Sequence, residues 1–164
     1  MMKSVILFRH GKSDWNAPYK KDHDRPLSHR GVRSAKIKGE YLTKIQQIPE
    51  LILSSTALRA KTTAELAKKF GEWDSILILE RQIYESSLND LLAILAMQNP
   101  KFSFICLVGH EPTFSHFISE MTKKNCDKFP TAAMARIDFQ LEDWKELKSK
   151  QGTLSWLKKP KELI

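Results

Sequence analysis

Cysteine is scarce: two residues in a chain of 164. Cys106 and Cys126 cannot build a disulfide framework, and they lack the CxxC spacing of a zinc site. Long hydrophobic runs are missing as well. The longest near the start, Val5-Ile6-Leu7-Phe8, is closed at once by Arg9, far short of the roughly 18 apolar residues of a membrane span. It is also too short for the apolar segment of a secretory signal, so a cytoplasmic protein is expected. Glycine and proline number only 6 and 7, without period, which excludes collagen-like sequence. No internal repeat, low-complexity segment or sustained heptad is visible.

What is present is a globular composition. Hydrophobic residues make up 41% of the chain, enough for a core, and the length predicts a single domain over 1–164 with no large cap insertion. Lys and Arg outnumber Asp and Glu by 27 to 19, for a net charge of +8. That charge permits nucleic-acid binding, but the basic pairs Lys20-Lys21, Lys68-Lys69, Lys123-Lys124 and Lys158-Lys159 are dispersed. No aromatic nucleic-acid-binding strand or recognition helix accompanies them. Steering of an anionic substrate is the sharper use of such a charge.

Hydrophobic patterning alternates between short strands and helices. Lys3–Phe8 reads as a buried strand, Leu51–Leu53, Ser75–Leu79 and Phe102–Val108 as a second, third and fourth strand, and Ala133–Gln140 and Thr153–Leu157 as two later ones. Helices are expected over 29–45 behind a Ser28 N-cap, over 57–70 capped by Ser54-Ser55 and ended by Gly71, and over 88–97. A fourth runs from Pro112, at its first position, to Thr122. The segment Gly11–Asp24 reads as a loop, Cys106 as core, and Trp15, Trp73, Trp144 and Trp156 as packing residues. His23, His29 and His116 read as ordinary polar groups, with His23 in a loop that can border a pocket. The alternation predicts an α/β/α sandwich around a mostly parallel sheet, with its ligand crevice beyond the carboxyl ends of the strands.

Chemistry collects at those ends. The first strand runs into Arg9-His10-Gly11, the second into Ser54-Ser55 with Arg59 close behind, and the fourth into Gly109-His110. Brought together, two imidazoles and two guanidiniums beside helix N-termini suit a phosphoryl group: forked donors for its oxygens and a nitrogen nucleophile for its phosphorus.

The residues carry a resemblance. Leu7-Phe8-Arg9-His10-Gly11-Lys12-Ser13-Asp14-Trp15-Asn16 resembles the RHG signature of the histidine phosphatase (phosphoglycerate mutase-like) superfamily. Asp24-Arg25-Pro26-Leu27-Ser28-His29-Arg30-Gly31, Leu53-Ser54-Ser55-Thr56-Ala57-Leu58-Arg59-Ala60-Lys61-Thr62-Thr63 and Leu107-Val108-Gly109-His110-Glu111-Pro112 look like its short SixA-type phosphohistidine phosphatase branch. The resemblance implies a phosphoglycerate mutase-like fold and a reaction without metal or cofactor. His10 would become phosphorylated and then be hydrolysed; Arg9 and Arg59 would clamp the phosphoryl oxygens, His110 would hydrogen-bond the group in the transition state, and Asn16 would add a contact. Relatives often place a carboxylic acid two residues before the equivalent of Tyr84, where this chain has Gln82. Glu85 is then the first candidate proton donor, ahead of Glu80, Asp22 and Asp24. The expected partner is a phosphorylated protein, with phosphohistidine as the group removed. The alternatives are a small-molecule phosphomonoesterase or mutase acting on a small phosphate ester, and a non-catalytic phosphate- or nucleic-acid-binding module.

Overall fold

The computed structural model describes residues 1–159. Its strands are β1 (Met2–Arg9), β2 (Leu51–Ser54), β3 (Ile76–Leu79), β4 (Phe104–Gly109), β5 (Met134–Gln140) and β6 (Thr153–Lys158). Its helices are α1 (His29–Lys44), α2 (Leu58–Gly71), α3 (Leu88–Ala96) and α4 (Thr113–Thr122). They form one six-stranded sheet in the order β3-β2-β4-β1-β5-β6. The first four strands in that order run parallel, and β5 is antiparallel to both β1 and β6. The sheet is the mostly parallel one that the alternating pattern predicts.

Strands of a doubly covered sheet are apolar on both faces, and here successive residues divide between two cores. Val5, Leu7, Leu51, Leu53, Ile105 and Leu107 pack under α3 and α4 with Phe114, Phe117, Leu91 and Leu95. Ile6, Phe8, Ile52, Cys106 and Val108 pack under α1 and α2 with Leu42, Ala60, Ala64 and Ala67. Each fully buried aliphatic or aromatic side chain contributes about 1.5–3 kcal/mol. Trp73, Trp144 and Cys106 are buried core residues as expected. Trp15 is not: it is 66% exposed, and its ring lies 3.6 Å from the Arg25 guanidinium carbon. Among the described residues no helix is long and apolar enough to cross a membrane.

Local differences from the sequence reading have local causes. Pro112 precedes α4 at its N-cap instead of opening the helix. Gly71 closes α2 from inside, because an added Cβ would lie 2.5 Å from the Gly39 carbonyl oxygen; the left-handed turn falls on Glu72 (φ 56°). Ser54 and Ser55 do not sit at the cap of α2, which is Ala57, although the Ser55 hydroxyl accepts the Ala57 N–H. A 3-10 turn at Trp144–Ser149 has no counterpart in the sequence pattern; its Asp143 and Glu146 form a capping box.

Register brings the strand ends together. Pairing sets Phe8 against Val108, Val108 against Ser54, and Arg9 against Gly109, so β1, β4 and β2 end level. The turn after β1 is held against the start of α1 by backbone contact. Ser28 caps α1 by accepting the Gly31 N–H, while its own N–H and hydroxyl both donate to the Lys12 carbonyl. A Cβ on Gly31 would stand 2.1 Å from the Lys12 carbonyl oxygen, and one on Gly11 2.6 Å from the Gly31 oxygen. Neither neighbour is a flexible side-chain tip, so Gly31→Ala must push the turn away from the helix. The expected loss is about 1–3 kcal/mol of unfolding free energy in urea titration, accompanied by a fall in activity; unchanged stability would disprove the close approach.

Candidate active site

Strand ends and helix starts converge on a cavity of about 910 Å³. Arg9, His10, Arg59 and His110 all line it, and so does Glu85. The two imidazole centroids are 5.2 Å apart although the residues lie a hundred positions apart in sequence. Asn16 is exposed and is not among the lining residues; its N–H is turned to the Asp14 carboxylate.

His10 is 6% exposed and follows β1 directly. Its N–H bonds the Gly109 carbonyl, and its carbonyl accepts from Ala132. The Nδ1 atom lies 2.7 Å from the Gly11 carbonyl oxygen. A carbonyl only accepts, so Nδ1 carries the proton and Nε2 the lone pair. Burial is the main reason the His10 pKa falls to about 3, with the charges of His110, Arg59 and Arg9 lowering it further. The arginines alone, the cause that residue types suggest, are the lesser part. The Gly11 N–H donates to Thr63 Oγ1, which in turn donates to the Arg59 carbonyl, tying the turn to α2.

His110 follows β4 and is held to about 3 by the same combination, burial first and then Arg59. Its Nε2 lies 2.7 Å from the Ser55 hydroxyl, and Tyr84 meets its ring edge-on at 5.6 Å. Arg9 donates from Nη1 to the Phe129 carbonyl, and its Nε is buried with no partner among the described residues.

Arg59 faces Asp22, a residue of the 3-10 turn Asp22–Asp24. Its Nη1 donates to the Asp22 carbonyl (2.8 Å) and its Nη2 to Oδ2 (3.0 Å). Arg25 donates from Nε and Nη2 to Oδ1, and the Tyr84 hydroxyl donates to Oδ2 at 2.9 Å. Burial on its own raises the Asp22 pKa, but the bonds from Arg25 and Tyr84 and the Arg59 charge outweigh it and hold the group near 2. Asp22 is therefore a carboxylate at neutral pH and has no proton to give. Burial and the bond to Asp22 push Tyr84 the other way, keeping it a phenol.

Of the other candidate acids, Glu85 lines the cavity in left-handed backbone (φ 55°). Glu80, Asp24 and Gln82 do not line it. Among the lining residues that the sequence reading did not assign to the site are Arg25, Tyr84 and Glu111, besides Lys12, Ser13, Arg30, Ser34 and Lys159. Arg25 and Tyr84 carry signals that were available: Arg25 stands three residues after Asp22, and Tyr84 beside Glu85. Glu111 follows His110 directly, and one oxygen of its carboxylate accepts the Ser115 N–H at 2.7 Å. His23 borders the site from outside, with Nε2 2.8 Å from Thr56 Oγ1 and its ring 5.0 Å from Tyr84.

Residues 5–91 match the family described as Histidine phosphatase superfamily (branch 1). The chain belongs to this superfamily. The solved structure of the protein histidine phosphatase SixA complexed with tungstate superposes with a TM-score of 0.83 at 22% identity, covering 98% of this chain and 99% of that one. That likeness shows a shared phosphoglycerate mutase-like fold. An uncharacterized chloroplastic protein of Arabidopsis thaliana is 27% identical over 163 residues, covering 94% of this chain and 74% of its own. A 2,3-bisphosphoglycerate-dependent phosphoglycerate mutase of Mycobacterium leprae is 38% identical over 72 residues, 43% of this chain and 29% of the mutase.

The electrostatics of the histidine pair have a measurable sign. In the folded chain both imidazoles stay neutral down to about pH 3, whereas unfolded histidines take a proton below 6.5. Between those values the unfolded state binds more protons, so stability present above pH 6.5 declines as the pH falls toward 3. Ring nitrogen shifts in NMR should show both residues neutral at pH 5, and His10→Asn should flatten the stability curve across this window. Protonation of either ring near pH 6 would contradict the burial argument.

Proposed function

We propose that the chain is a metal-independent phosphatase of the cytoplasm, a single catalytic domain that removes phosphate from phosphohistidine in a protein through a phospho-His10 intermediate. The observation that carries this reading is the state of His10: neutral, with its Nδ1 proton committed to the Gly11 carbonyl, so that Nε2 holds a free lone pair on a ring that lines the cavity.

In the first step Nε2 attacks phosphorus. The new N–P bond forms as the bond to the substrate's imidazole breaks, and the leaving imidazole takes up a proton. Charge spreads over three phosphoryl oxygens, and fixed cations opposite them supply most of the rate. Arg9 and Arg59 fill that role. The Ser55 hydroxyl accepts the Ala57 N–H and pairs with Nε2 of His110, which fixes the orientation of that ring beside the phosphoryl group. In the second step water attacks phospho-His10 and releases inorganic phosphate.

Two features favour a phosphoramidate over an ester. Gln82, where an acid is expected, cannot protonate a leaving group and does not line the cavity, and Asp22 is ionised. Imidazole leaves with less help than an alkoxide, so a phosphohistidine substrate asks less of Glu85, the candidate acid that lines the cavity. A second reading, a phosphatase or mutase for small phosphate esters, draws support from the segment shared with the mycobacterial mutase. Glu85→Gln separates the two, because its effect on an ester must exceed its effect on phosphohistidine.

Trapping tests the core of the proposal. After mixing with a phosphodonor and quenching in base, acid-labile phosphate should map to the peptide containing His10, and His10→Ala should abolish both label and turnover. Arg59→Ala should lower kcat about 10²–10³-fold, the usual cost of one oxyanion donor, and chelators should change nothing. Label on any other residue, or inhibition by EDTA, would overturn the mechanism.

A further inference from the structure

Away from the imidazole pair, the cavity has a flank that phosphoryl transfer to His10 does not use. We propose that this flank, built from Ser13, Arg30 and Ser34 with Lys12 and Lys159, is a second anion subsite, and that it takes an acidic side chain flanking the phosphohistidine of the substrate protein. The inference rests on the phosphohistidine phosphatase reading and narrows its substrate class.

Ser13 is the first observation. It lines the cavity and is 7% exposed, yet its hydroxyl has no hydrogen-bond partner among the described residues. A buried hydroxyl without a partner costs stability, and such sites persist where a ligand supplies the missing bond. The second observation is charge. Arg25 and Arg59 share the single carboxylate of Asp22. Among the described residues no carboxylate stands within ion-pair distance of Lys12, Arg30 or Lys159. The third is convergence. Arg30 and Ser34 are one turn apart on α1 and both line the cavity. One further turn along, Lys38 Nζ donates to the Lys158 carbonyl at 3.1 Å, which fixes the end of β6, and with it Lys159, beside this stretch of helix. Segments distant in sequence thus bring cations and an unsatisfied hydroxyl to one wall of the cavity that holds the nucleophile.

Size points the same way. About 910 Å³ is near the top of the range for drug-sized ligands, and a phosphorylated imidazole fills a part of it. An anionic oxygen at this wall can be a carboxylate of the same protein or a second phosphate of a small molecule; the two share their chemistry and differ in source.

Binding and turnover tested in parallel separate the possibilities. Two peptides with a non-hydrolysable phosphohistidine analogue, identical except for flanking Asp and Glu in one and Asn and Gln in the other, are titrated against the wild-type chain, Arg30→Gln and Ser13→Ala. The acidic peptide should bind wild type about tenfold more tightly, as expected for charge-assisted bonds at a partly desolvated site. Either substitution should move that ratio toward one. Equal affinities for wild type, or a ratio that survives both substitutions, would overturn the subsite. Pyrophosphate competing better than phosphate through Arg30, without any preference between the peptides, would overturn the peptide as source and assign the wall to small diphosphates. The matching phosphohistidine peptides read the other question: an acid preference in binding with no turnover removes the phosphatase reading and leaves the subsite, whereas turnover without preference does the reverse.

Discussion

Parallel pairing of β4 with both β1 and β2 brings three chain crossings to one level, and the chemistry of the site hangs on it. A parallel ladder needs long crossovers, and these supply α1, α2 and α3 as covers for both faces. Because the register sets Arg9 against Gly109, and Val108 against Ser54, the residues just past the ladder, His10, Ser55 and His110, leave the sheet as neighbours. No long-range design is needed beyond that register: a slip of one residue would turn every apolar side chain of β1 to the opposite core.

Burial, more than neighbouring charge, then decides what the imidazoles can do. An imidazolium is costly at a site this enclosed, so both rings are held neutral, and the arginines reinforce that preference. The carboxylate of Asp22 follows the opposite logic. Burial works against its charge, but three donors hold it ionised. Basic and acidic groups thus sit side by side with their proton occupancies fixed by different causes, the arrangement expected where acid–base roles must not be exchanged.

Much of this was legible in the sequence. The apolar runs located each strand to within about a residue or two; β1, β2 and β4, covered on both faces, are written as continuous apolar stretches, whereas the edge strand β3 keeps an apolar run although it is largely exposed. Arg9, His10, Arg59 and His110 were legible as a set, since each stands at or just beyond the end of a predicted strand or the start of a helix. Ser28 was legible as a cap because its chemistry is local. What escaped depended on contacts between distant segments. Trp15 had no pattern to show that it stacks on Arg25 instead of packing inside. Asp22 was one acid among several until Arg25, Arg59 and Tyr84 were seen around it. Asn16 follows the family signature in sequence, but its place in space is set by the loop, whose conformation owes more to the Ser13–Leu27 bridge and the turn at Asp22–Asp24 than to local propensity.

The bond between Asp22 and the arginines carries a consequence for catalytic turnover. With Asp22 in place, each terminal nitrogen of Arg59 spends one N–H on that residue and keeps another, and its Nε–H has no partner among the described residues, so under the proposed reading a phosphoryl group would share the guanidinium with an internal carboxylate. In the proposed phosphatase that carboxylate would also face the departing phosphate as a like charge, which favours release of the product.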